Sequence, residues 1–135
     1  MTFEDLKTAF PDATLDTWHV HPNGGGWVEN TATVAETAFV GPDALVYDNA
    51  VVYDNAVVCG DAVVYDNAVV CGDATIAGFA QVYGNAWVFG DARVFGRSQI
   101  SGRSRVFGSA RISGRSLVFG DTVVSGDQII GEMAN

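Results

Sequence analysis

From Ala32 to about Ile130 the chain repeats every six residues, and this period restricts its fold more than any other feature. Position one of each unit is Ala, Ser or Thr, as at Ala32, Ala38, Ala44, Ala92, Ser98, Ser104 and Thr122, until Gln128 breaks the pattern. Position three is Val or Ile in seventeen consecutive units, from Val34 to Ile130. Position five is mostly Gly from Gly60 to Gly126, with Asp48, Asp54 and Asp66 standing in earlier, and position six is usually Asn, Asp, Arg or Ser. A fixed short period of this kind marks a solenoid.

Side-chain alternation gives the pattern its physical meaning. Residues two apart in a strand face the same way, so the small residue at position one and the β-branched residue at position three point inward together. Gly or Asp followed by Asn or Asp supplies the positive-φ conformations of a tight corner. Each unit is therefore one short strand and one bend, and stacked turns pair their strands in parallel.

Units such as Ala86-Trp87-Val88-Phe89-Gly90-Asp91 give the chain a likeness to a known family: it resembles the bacterial hexapeptide-repeat proteins. The resemblance covers about three quarters of the sequence. It implies an all-β fold, a single-stranded left-handed parallel β-helix in which three hexapeptides make one triangular coil and residues eighteen apart stack. The left hand comes from the resemblance alone, because parallel crossovers are otherwise right-handed. On this basis residues 1–31 form an N-terminal cap and residues 32–135 the solenoid.

Charge is segregated along the repeat. The formal net charge is −9, with nine acidic residues and no base between Glu29 and Asp91, and six Arg and no acid between Arg93 and Arg115. The rod is a charge dipole along its axis. No apolar run is long enough to span a bilayer and no basic-then-apolar leader opens the chain, so a cytoplasmic location and no membrane contact are expected. Cys59 and Cys71 fall on different faces of a three-sided coil and are expected as free thiols.

Thr2-Phe3-Glu4-Asp5 reads as a capping box, with Phe3, Leu6 and Phe10 on one helical face ahead of Pro11, which predicts a short amphipathic helix. The segment is expected to cover the first edge of the stack. Trp18, Val20 and Trp27 flank Gly24-Gly25-Gly26 and are expected to lie on the first coil. His19 and His21, two apart on a strand, would share a side, but two imidazoles fall short of the three or four protein ligands of a zinc site. No metal and no cofactor is predicted. At the far end, Asp127 and Glu132 place charge at the last edge.

The outward positions carry the candidate surfaces. On a first face, that of units Ala32, Ala50 and Ala68 onward, Val51, Tyr53, Val69, Cys71, Trp87, Phe89 and Phe107 form an apolar stripe that reads as a protein interface. A second face carries Leu45, Tyr47, Val63, Tyr65 and Tyr83, which also suit an aromatic ladder. On the third, Arg93 lies over Arg111 and the next corner sets Arg97 over Arg115, with Phe95 between them as a stacking surface. Guanidinium groups this close favour an anion among them, or screening by salt or by a neighbouring subunit's Asp. Asn49, Asn67 and Asn85 should stack as an amide ladder.

Many hexapeptide-repeat proteins are trimeric acyltransferases with a His as general base, and related carbonic anhydrases use three His. No His occurs after His21 here and no long loop interrupts the repeat, so neither constellation is matched and no catalytic residue is assigned. The expected function is a non-catalytic solenoid that self-associates, as a homotrimer, and serves as a structural or protein-interaction module. The alternatives are a sequestering or inhibitory binder, through Arg93, Phe95, Arg97, Arg111 and Arg115, of an anionic small molecule such as a nucleotide or phosphate or of a protein partner that handles nucleic acid, with no direct DNA binding expected, and an acyltransferase-like enzyme that lacks the usual repeat His and uses His19 or His21.

Overall fold

The computed structural model describes residues 1–131 and is a parallel β-solenoid with one short helix at its start. Among these residues seventeen two-residue strands run from Thr33–Val34 to Ile129–Ile130, one per hexad. Each pairs in parallel with the strand three along, so that Thr75 registers with Arg93 and Val94 with Ile112. The strands stack into three faces. The first runs from Thr33–Val34 to Val123–Val124, the second from Trp27–Glu29 to Leu117–Val118, and the third from Phe39–Val40 to Ile129–Ile130.

Inward, Ala at position one and Val or Ile at position three form one continuous core, most of it without any solvent exposure. Ser98 and Ser104 occupy the same small-residue site, and their hydroxyls donate to the carbonyls of Phe95 and Ser101, each at 2.8 Å. The corners turn where position five has positive φ, including Asp48 at 57°, Asp54 at 58° and Asp66 at 57°. One strand of the stack comes from within residues 1–31. Trp27–Glu29 pairs with Leu45–Val46, and Val28 is fully buried in the coil core. This unit starts with Gly26 in place of Ala, and a Cβ there would lie 2.3 Å from the Gly41 carbonyl.

Helix α1 spans Phe3–Ala9 and begins at the Thr2–Asp5 capping box. It packs on the side of the stack, where Leu6, Ala13, Trp18, Trp27 and Leu45 make a second core joined by Phe3, Phe10, Tyr47 and Val63. The acidic end of the second face is thus covered by the chain itself. The first edge of the second face is covered as well, by β1 (Trp18–Val20), which pairs antiparallel with Trp27–Glu29. Trp18 and Trp27 are buried as expected, whereas Val20 points to solvent at 48% exposure. The ladder expected on this face is present: Tyr47 and Tyr65 stack at 4.9 Å and Tyr65 and Tyr83 at 5.0 Å. Asp127 is exposed, and Glu132 lies outside the described residues.

Candidate functional site

On the first face the apolar stripe narrows to an aromatic patch. Phe89 and Phe107, one coil apart, stack at 4.9 Å and 8°, and Trp87 meets Phe89 edge-on at 6.5 Å. Trp87 is 44% exposed, and a groove of about 260 Å³ lies between Trp87, Phe89 and Arg105. Tyr53 is exposed, while Val51 and Val69 are half-buried. Cys71 differs from expectation: at 8% exposure it adds almost nothing to the outer surface, because its short side chain lies between the larger Tyr53 and Phe89 of the same column. Cys59, on the third face, keeps its thiol protonated to higher pH through burial, and both cysteines are free.

The third face brings Arg93 and Arg111 together as strand partners. Arg97 and Arg115 follow one another at the adjoining corner, where the Arg97 amide donates to the Gly114 carbonyl at 2.7 Å. The stacking surface at that corner is not Phe95. The Arg97 guanidinium lies over Phe79, 5.2 Å from its centroid, because Phe79 holds the same corner position one coil earlier and Phe95 belongs to a different column. Phe79 is 55% exposed and lines a shallow groove with Gln81, Arg97 and Gln99. The period of eighteen residues was the signal that could have found it. Among the described residues the one ion pair joins the Met1 ammonium to Asp43 at 2.7 Å, so no Arg lies within reach of a carboxylate.

The corner between the second and first faces is acidic. Asn49, Asn67 and Asn85 line a groove there with Glu29, Asp48 and Asp66, but the side chains that accept backbone amides from coil to coil are the carboxylates, not the Asn side-chain amides. Glu29 accepts from the Asp48 amide at 2.8 Å, Asp48 from the Asp66 amide at 3.3 Å, and Asp66 from the Gly84 amide at 3.1 Å. These are position-five amides, which the coil-to-coil ladder leaves without a carbonyl. Burial raises the Asp48 pKa, and the neighbouring Asp66 and Glu29 charges add to the shift.

The two histidines are held apart. His19 is exposed and shares a 2.6 Å hydrogen bond with Asn30, whereas His21 is 3% exposed and bonds the Ala38 carbonyl at 2.8 Å through Nε2. The strand ends at Val20, so the shared side expected from a continuous strand is lost. His21 and Asn23, which also donates to Ala38, occupy the open carbonyl of the third face's first strand. Among the described residues no group of three or more His, Cys, Asp or Glu side chains is gathered for a metal, and no helix is long and apolar enough to cross a membrane.

No curated protein and no solved structure matches the chain. The repeat itself is similar to a known one: the family model described as YdcK beta solenoid repeat matches residues 44–60, 58–72 and 80–96, which agrees with the repeat β-helix seen in the fold.

Proposed function

We propose that this protein is a non-catalytic, self-associating β-solenoid, wound left-handed as its sequence resemblance implies, that acts as a structural or protein-interaction module. The observation that carries the reading is the bare aromatic patch on the first face. Trp87 remains 44% exposed beside Phe89 and Phe107, on a rod whose second face is already partly covered by its own N-terminal segment. Exposed contiguous apolar surface of this kind fits a protein interface. The test is absolute mass in solution. The parent chain is expected to associate, and Trp87→Ser with Phe107→Ser to reduce the mass; a parent chain that is a monomer at every concentration would remove the reading.

A second reading has its own support. Arg93, Arg97, Arg111 and Arg115 lie close together without a carboxylate within ion-pair distance among the described residues, which suits an anionic ligand. Calorimetry with inorganic phosphate and with a nucleoside triphosphate tests it. Binding that Arg93→Glu with Arg111→Glu abolishes supports an anion site, and heat equal to that of dilution in the parent excludes one.

A further inference from the structure

At position six, the corner that leads from the third face to the second carries Asp43, Asp61, Phe79, Arg97 and Arg115 in successive coils, and all five are exposed. Backbone bonds tie the column together: the Asp61 amide donates to Gly78 at 2.8 Å, and the Phe79 amide to Gly96 and the Arg97 amide to Gly114 at 2.7 Å each. With coils about 4.8 Å apart, the ridge from Asp43 to Arg115 is about 19 Å long. Two acids, one ring and two bases at an even step form a sequence that is its own complement when reversed. The other two corners lack this property. The corner between the first and third faces carries Asp73, Asp91 and Asp127 and no base, and the corner between the second and first carries a single Arg, Arg103, beside Asp121.

We propose that two copies of this chain pair antiparallel along this ridge, with Phe79 on the twofold axis, Asp61 opposite Arg97 of the second copy and Asp43 opposite its Arg115. The inference rests on the self-association reading but locates a contact on a different surface from the aromatic patch. Three further features fit. Arg97 is already held over the Phe79 ring, 5.2 Å from its centroid, so the base next to the axis has lost part of its freedom before pairing. The adjacent column of the third face runs Gly41, Cys59, Ala77, Phe95, Ser113, so reversal sets the bulky Phe95 opposite the small Cys59. The axial charge dipole of the rod favours the same antiparallel arrangement. Asp43 already pairs with the Met1 ammonium, so the inner Asp61–Arg97 pairs are the stronger determinant.

The test is the mass in solution of chains that all carry Trp87→Ser, which removes the aromatic patch from the contest. An acidic ridge is made by Arg97→Asp with Arg115→Asp, and a basic ridge by Asp43→Arg with Asp61→Arg. The unaltered ridge is expected to give two chains at low ionic strength and one chain at about 1 M salt, where the screening length is about 3 Å. Each single-sign ridge should give one chain at both, and an equal mixture of the two should recover a two-chain species. A mixture that stays at one chain, single-sign forms that keep the mass of the unaltered ridge, or a three-chain species indifferent to salt would overturn the pairing. Association that occurs only with Trp87 in place overturns the ridge and leaves self-association standing, whereas a monomer with or without Trp87 ends both. Independently, Phe79→Cys in a chain lacking Cys59 and Cys71 should give a two-chain disulfide on mild oxidation, and its failure to form in a folded chain would count against the twofold axis.

Discussion

Gly96 sits directly beneath Gly114: a Cβ built on Gly96 would lie 2.7 Å from the Gly114 amide nitrogen. Both glycines have positive φ, 71° and 68°, so the corner needs Gly for backbone conformation and also for the approach of the next coil. Gly120 has a similar φ of 67° but nothing within 4 Å of its Cβ site. Gly120→Ala should therefore cost only the left-handed penalty of about 1–2 kcal/mol, and Gly96→Ala clearly more, because the coil spacing must also open. Urea midpoints of the two variants check this, and equal losses would show that the spacing yields freely.

The small-residue site at position one predicts a contrast inside the core. Ser104→Ala should change stability by no more than about 1 kcal/mol, because one neutral hydrogen bond is lost while the Ser104 amide still donates to the Ser101 carbonyl. Ile100→Ala removes a fully buried side chain from the continuous core. It should cost about 2–5 kcal/mol. Chemical denaturation of both variants measures the difference.

The N-terminal segment has its own core, separate from that of the coils, so it should come loose first. Leu6 is fully buried at its centre. Leu6→Ala should weaken docking by about 2–5 kcal/mol, red-shifting the emission of the buried Trp18 and Trp27 while the far-ultraviolet signal of the coils persists. Loss of both signals together would show that cap and coils unfold as one.

Asp48 gives the acidic corner a pH dependence of definite sign. Its pKa is raised in the folded chain by burial, with Asp66 and Glu29 adding to the effect. The folded state therefore holds this proton to higher pH than the unfolded state does. The resulting stability is fully present below the ordinary carboxylate pKa of about 3.9 and is lost as pH rises through the raised value. Asp48→Asn, which tolerates the positive φ, should be more stable than the parent at neutral pH, by less than about 1 kcal/mol for a partly exposed group. That advantage should shrink on acidification below the raised value. An advantage that persists unchanged in acid would assign it to the backbone instead.

Much of the fold was legible because its cause is local. Position three alternates with position one along each strand, so Val34 to Ile130 and the small residues two before them could be assigned inward from spacing alone. The Thr2–Asp5 capping box likewise announced the helix, and its apolar residues Phe3, Leu6 and Phe10 announced a packed face. The strand at Trp27–Glu29 was hidden because close approach of the Gly41 carbonyl requires Gly26 where the pattern has Ala. The site for the helix was hidden too, since nothing in a six-residue period states that the acidic end of one outer face will be covered from the side.

The ten residues from Ala50 to Cys59 recur unchanged from Ala62 to Cys71, and they separate the two kinds of information. Sequence alone determined what the copies share: Ala and Val inward, Asp54 and Asp66 at positive φ, one strand per hexad. The copies are twelve residues apart while the strands register at eighteen, so the same letters land on different faces. Tyr53 is left exposed, whereas Tyr65 is stacked between Tyr47 and Tyr83; Cys59 is half-buried, whereas Cys71 is nearly sealed. An outward side chain takes its environment from the coils above and below it, and only the tertiary structure sets which residues those are.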